Sequence, residues 1–535
     1  MAGSTDPTAI HYVVGSGPAG VACAHALIQG GATVVMLDAG IGLEPSRTRL
    51  VAEMAARRPG DWSREQITAL KAGMHAETEG IPLKLAYGSD HPYRDTDIHM
   101  PVDYQGVALR PSLGLGGFSS VWGAAMMPYS QADTADWPVR AAELAEHYSA
   151  VAELTGLSAV HDALEKTFPL HTEPAAALTL SHQAGQLRAR LEENRQALNS
   201  AGIHFGQARL AVRAGEDGCV YCGLCMYGCP YGHIYSSTRT LRELQREPGF
   251  TYRPDTIVTG VRESGGYAFV AGYHRTSRKP FELAGRRVYV AAGAVSTTRI
   301  VLRSLEHYDR PVKLKDSQYY LFPLLQARSG GDVRHEALHT LSQLFIEIFD
   351  ETVAARPVHL QLYSYNDLVG QALRRSFGPL AGMLEPLARA LEKRLLIVQG
   401  YLHSDDSSRI AVSLKRGEPD RLSLQAELNP QARSTVRRVL HKLMRHGRRL
   451  GAWPLTPMLQ MAEPGRGFHS GGSFPMRAAP GELETDVLGR LPVWRNIHLV
   501  DASVLPDIPA TQITFSVMAN AHRIGRQSAN LSNRS

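Results

Sequence analysis

The hydrophobic pattern changes period twice near the amino end. Ile10-His-Tyr-Val-Val14 is a short apolar β-rich run, Pro18 to Gln29 repeats its apolar positions at helical spacing, and Thr33 to Leu37 is apolar again. Strand, glycine turn, helix and second strand make one βαβ unit, the opening half of a nucleotide-binding fold. Residues 45 to 100 are polar and predict helices. Pro111 to Ala132 carries no charged residue and is dense in Gly and Ser, which predicts a buried loop followed by a helix. Residues 140 to 206 alternate charged and apolar positions at helical spacing. Further on, F-T-Y-R-P-D-T-I-V-T-G-V and R-R-V-Y-V-A-A-G-A-V-S-T-T-R-I-V-L predict strands and a strand-to-helix turn. The stretch from 310 to 455 mixes strands such as Ile410 to Leu414 with helices around 375 to 395 and 430 to 450. Alternating elements at both ends with a different pattern between them predict an α/β chain whose nucleotide domain is discontinuous.

Composition narrows the class. With 535 residues, 44% of them hydrophobic and 20% charged, the chain is globular and enzyme-sized. A net charge of +6 over so large a surface is too dilute to argue for nucleic acid. Residues 7 to 37 lack Asp, Glu, Lys and Arg, yet no basic n-region precedes them and they are broken by Gly and Pro. Neither a signal peptide nor a membrane span is expected there. A cytoplasmic chain is the expectation, with export beside a leader-bearing partner the other route. No internal repeat separates modules.

Gly15-Ser16-Gly17-Pro18-Ala19-Gly20 matches G-x-G-x-x-G directly after a strand and at the start of a helix. The first glycine allows the turn, the second lets backbone approach a pyrophosphate, and the third lets helix pack on strand. Asp38, at the end of the next strand, is placed to accept a ribose hydroxyl. FAD and NAD both satisfy this fingerprint.

Four of the five cysteines, Cys219, Cys222, Cys225 and Cys229, reproduce the ferredoxin spacing C-x2-C-x2-C-x3-C-P. Thiolates at that density repel one another unless a metal centre absorbs their charge. The readings are one [4Fe–4S] cluster held by all four, which is favoured, a [3Fe–4S] cluster held by three, or zinc in the same thiolates. Cys23 lies in the first helix and reads as core. Arg437, Arg438, Lys442, Arg445, Arg448 and Arg449, opposite an apolar stripe of Val436, Val439, Leu440 and Leu443, read as a solvated helix face. His403 to Ser408 reads as a strand-end turn.

The carboxyl end, N-I-H-L-V-D-A-S-V-L-P from Asn496 followed by P-A-T-Q-I-T from Pro509, resembles the terminal signature of the glucose–methanol–choline (GMC) oxidoreductases. Gly116-Gly117-Phe118-Ser119-Ser120, Val288 to Ser296, and His469-Ser-Gly-Gly-Ser-Phe-Pro-Met476 agree with it, in family order. The resemblance implies a Rossmann-like FAD-binding domain in segments 1–145, 206–310 and 456–535, and a sheet-and-helix substrate domain in 146–205 and 311–455. It also implies oxidation of a hydroxyl group, with Gly15, Gly17, Gly20 and Asp38 on the adenosine and pyrophosphate. Gly117, Ser119 and Trp122 would follow the flavin's phosphate and ring side, Val258 the adenine edge, and Asp501 and Ala502 the ribityl chain. Trp122 stands where the family usually has Asn, and Gln512 stands where it usually has His or Asn nearby.

Removing a hydroxyl proton as hydride leaves is work for a base titrating near neutrality, which suits His469. Gln512 cannot act as a base, but its amide can hold the substrate oxygen. The cysteine segment resembles that of bacterial FAD-dependent sugar dehydrogenases. Together these features predict an FAD and iron–sulfur dehydrogenase of a carbohydrate or other alcohol, passing electrons to a one-electron acceptor protein or a quinone. The rivals are an FAD-dependent alcohol oxidase with a structural zinc or vestigial loop, and a non-catalytic electron-transfer flavoprotein subunit.

Overall fold

The computed structural model describes residues 9–73, 81, 83–417 and 420–531. Its first sheet is parallel, with strands in the order Ile497–Leu499, Arg287–Val290, Ile10–Val14, Thr33–Leu37, Phe250–Arg253. Strands from three distant parts of the chain thus share one sheet. The run at Ile10–Val14 is buried throughout because neighbours cover it on both faces. The helix Pro18–Gln29 and the long helix Ile513–Leu531 pack side by side. Thr256–Ser264, Tyr267–His274 and Pro280–Gly285 form an antiparallel three-stranded sheet.

A larger sheet orders its strands Ala452–Pro454, Tyr319–Gln326, Leu395–Tyr401, Val358–Tyr363, Leu344–Ile348, Ile203–Gln207, with Gln460–Met461 on the second of them. Its strands obey the period of two. Leu344, Ile346, Ile348, Leu360, Leu362, Leu396 and Val398 point to one face, where the helices His182–Glu193 and Ala432–Arg445 cover them. Phe345, Glu347, His359, Gln361 and Tyr401 alternate to the other. Another sheet joins Val102–Gln105, Arg421–Glu427, Arg409–Lys415, Val312–Asp316 and Ser470–Gly471, which ties the segment carrying His469 to the body.

Two expectations change. Pro111 to Ala132 contains only the single turn Gly117–Ser120 and no following helix, because its polar backbone is spent on loop bonds to distant segments. The basic helix Ala432–Arg445 is not wholly solvated. Lys442 is buried and pairs with Asp350, and Arg438 donates from Nε to the Val353 carbonyl. No helix among the described residues is long and apolar enough to cross a membrane.

Candidate active site and cysteine cavity

The glycine turn is built by close approach. A Cβ on Gly20 would lie 1.9 Å from the Gly15 carbonyl oxygen, and one on Gly15, whose φ is +100°, would lie 2.5 Å from that of Ala291. Gly17 faces open space, so the uncapped start of the helix is free to receive a ligand. Around this opening the predicted segments are stitched together by serines. Ser16 donates its hydroxyl to Asp38, the Gly116 amide donates to the Ser16 hydroxyl at 2.9 Å, and Ser237 donates to the Ser16 and Gly116 carbonyls. Ser119 donates to the Gly116 carbonyl at 2.6 Å.

Asp38 already accepts from Ser16 and from the Tyr252 hydroxyl at 2.9 Å. Burial pushes its carboxyl up, and these bonds pull it back down. Asp38's carbonyl accepts from Thr256, the first residue of the strand that carries Val258, so Val258 sits close beyond the acid. Asp501 accepts from the Gly293 amide and the Thr297 hydroxyl and caps the turn Ala502–Val504. The open glycine cradle and the uncapped helix start fit a dinucleotide such as FAD.

His469 and Gln512 come from separate segments and meet the polar face of the large sheet. The His469 ring stacks on Tyr401 at 4.7 Å between centroids, and its Nδ1 has no partner. Enclosure, reinforced by nearby His359, holds its pKa down to about 3, so the ring is neutral across the physiological range and titrates well below the near-neutral value expected of a base. Its loop is pinned by Asp316, which accepts from the Ser470 hydroxyl at 2.6 Å and the Gly465 amide at 2.7 Å. The Ser317 amide donates to the His469 carbonyl.

Gln512 is buried, and its amide nitrogen lies 2.5 Å from Nε2 of His359. His359 in turn meets the Glu347 carboxylate through Nδ1 at 2.5 Å. Glu347 and His359 are directly opposed across adjacent strands and fully buried. Neither was among the sequence candidates. The available signal was a single ionisable residue in each of two otherwise apolar strand runs, F-I-E-I and V-H-L.

The four cysteines line one enclosed cavity of about 20 Å³, with His233 and His339 also on its wall. Burial first, and then their neighbours' charges, push the Cys219 and Cys222 thiols up to about 12 and raise Cys225. As free thiols they stay protonated, and becoming thiolates requires cationic compensation. The Tyr221 amide faces the Cys219 sulfur at 3.5 Å. Among the described residues no group of three or more His, Cys, Asp or Glu side chains is arranged to hold a single metal ion. Cys23 is fully buried in the first helix.

Lys84 spans the space between the two regions. Its ammonium donates to the Trp122 carbonyl at 2.8 Å and is pulled down to about 8 by burial, opposed by Cys225. The Trp122 indole is already committed, donating to the Tyr235 carbonyl at 2.7 Å.

Residues 24–306 match the GMC oxidoreductase family. The chain belongs to that family and is an FAD-dependent oxidoreductase acting on CH–OH groups. Among solved structures, pyridoxine 4-oxidase from Mesorbium loti is 15% identical, with a TM-score of 0.58 over 97% of this chain and 99% of that one. Formate oxidase is 14% identical, with a TM-score of 0.60 over 99% and 100%. Both share the fold. No curated protein matches in sequence.

Proposed function

We propose that the chain is a dehydrogenase that oxidises a hydroxyl of a carbohydrate or other alcohol and passes the electrons on singly. The observation that carries the dehydrogenase reading is the convergence of four thiols on one enclosed cavity, joined through Lys84 to the backbone of the flavin-side segment. His469 takes the hydroxyl proton at its unpartnered ring nitrogen. Neutrality suits that role, since an imidazolium has no lone pair to offer. Gln512 positions the substrate oxygen. Gly15, Gly17 and Gly20 would admit the pyrophosphate, and Gly117, Ser119, Trp122, Asp501 and Ala502 would border the rest of FAD. Bound FAD supplies the two-electron hydride acceptor, and an iron–sulfur cluster supplies one-electron transfer.

Cys219, Cys222, Cys225 and Cys229 would hold that cluster, with [4Fe–4S] favoured because all four reach the cavity. Tetrahedral zinc, with sulfurs about 2.3 Å from one ion, is the alternative for the same four thiolates, and iron and sulfide content separates the two. A one-electron acceptor protein or a quinone would complete the reaction.

The test is anaerobic addition of a panel of sugars and alcohols to purified protein, with iron and acid-labile sulfide measured on the same sample. Flavin bleaching by at least one compound, with iron and sulfide present, is expected. Iron-free protein, or peroxide formed at the rate of turnover, would replace this reading with an oxidase; bleaching by none of the panel would leave an electron-transfer subunit.

A further inference from the structure

Gln512 is held by a polar chain that the oxidation just proposed leaves unused. Glu347, His359 and Gln512 are all buried and contact one another in that order. An amide NH2 has two donors and no acceptor, so its contact with Nε2 of His359 requires that nitrogen to be bare. The ring proton then sits on Nδ1 and is donated to Glu347. Burial raises the Glu347 carboxyl, while His359 and the nearby buried Arg209 pull it back. The arrangement leaves Gln512 Oε1 as an acceptor without a protein partner. His469 Nδ1 is likewise unpartnered, and both His359 and His469 pack against the Tyr401 ring.

We infer that Glu347 and His359 are positioning residues: the carboxylate fixes the His359 tautomer, the bare Nε2 anchors the Gln512 amide nitrogen, and the carbonyl end is thereby offered to a substrate hydroxyl. Gln512 accordingly accepts a hydrogen bond from substrate instead of donating one. Reversing the His359 tautomer turns the amide over and presents NH2 in its place. A substrate hydroxyl giving its one hydrogen to His469 cannot also donate to Gln512, so the carbonyl end takes the hydrogen of a neighbouring hydroxyl, which selects polyols.

The inference rests on the proposed alcohol oxidation for its consequence, but its physical core is measurable without substrate. Holoprotein labelled with ¹⁵N-histidine, with the His359 signals identified by their loss in His359→Asn, reports which ring nitrogen carries the proton. Bare Nε2 and protonated Nδ1 are expected in the native protein. Glu347→Met, which removes the acceptor, is expected to move the proton to Nε2. It should also slow single-turnover flavin bleaching roughly 10²-fold at unchanged flavin content, using whichever of the polyols D-glucose, mannitol or glycerol bleaches the native protein. Glu347→Gln, whose carbonyl can still accept from Nδ1, is expected to keep the tautomer and most of the rate.

A protonated Nε2 in the native protein overturns the inference, and so does Glu347→Met with a reversed tautomer and the native bleaching rate. If none of the three alcohols bleaches the flavin, the functional proposal loses support, and the native tautomer alone decides this one. If Glu347→Met does not fold, the native tautomer and the Glu347→Gln rate decide it.

Discussion

The proposed catalytic pocket and the cysteine cavity are built in opposite ways. The thiols come from one short stretch of chain, 219 to 229, and meet because that stretch turns back on itself. His469, Gln512, His359 and Glu347 come from a loop, a helix entry and two strands, and meet only because the large sheet presents its second face to the nucleotide-binding body. The difference is also chemical. In the pocket Glu347, His359 and Gln512 hold one another, while His469 Nδ1 and Gln512 Oε1 are left without protein partners. Burial favours the protonated thiols of Cys219, Cys222 and Cys225, so their arrangement makes electrostatic sense as thiolates only with a cationic centre among them.

That contrast can be broken most sharply at His469. His469→Ala is expected to lower anaerobic flavin reduction by about 10²-fold or more while flavin and iron contents stay native. Equal loss of flavin would make the histidine structural. Cys225→Ser, at the other region, is expected to do the reverse: iron and acceptor-linked turnover fall, and flavin bleaching by substrate persists. Loss of both activities together would merge the two regions into one folding unit.

Gly20→Ala tests the cradle beside the pocket. Its Cβ would enter the Gly15 carbonyl, 1.9 Å away, and the strain is expected to cost about 1–3 kcal/mol and to release FAD. Thermal melting and flavin absorbance check it.

A pH-dependent effect concerns Asp316, whose carboxyl is pushed up to about 7 by burial. A folded-state pKa above the usual 3.8 means the folded protein binds that proton more tightly than the unfolded chain. Its contribution is fully present below about pH 4 and is lost as pH rises through about 7. Asp316→Asn should therefore flatten the fall in melting temperature between those limits, an effect of at most about 4 kcal/mol. An unchanged pH profile would show that the carboxyl stays ionised.

The pocket also shows how far local pattern reaches. The glycine fingerprint, the cysteine run and the His469 segment are contiguous motifs whose chemistry depends on neighbours in sequence, and each was legible before any coordinates. The absence of His or Asn beside Gln512 read as a simple departure. In three dimensions an imidazole does stand there, supplied by His359 from a strand more than a hundred residues away in sequence. Lys442 was misread for a related reason: its period placed it on the polar stripe, but Asp350 comes from the turn after a sheet strand and draws it inward. Trp122, expected on the flavin's ring side, spends its indole hydrogen bond on the Tyr235 carbonyl, a partner that local sequence does not announce.

Sequence by itself determined the dinucleotide turn, the spacing of the thiols and the identity of the candidate base, because each is encoded by residues a few positions apart whose backbone geometry is local. Tertiary structure alone decided what surrounds them: the Glu347–His359–Gln512 chain, the Lys84 link and the pinning of the His469 loop by Asp316. Those contacts depend on strand register and sheet-to-body packing, where a one-residue shift would turn each side chain to the opposite face.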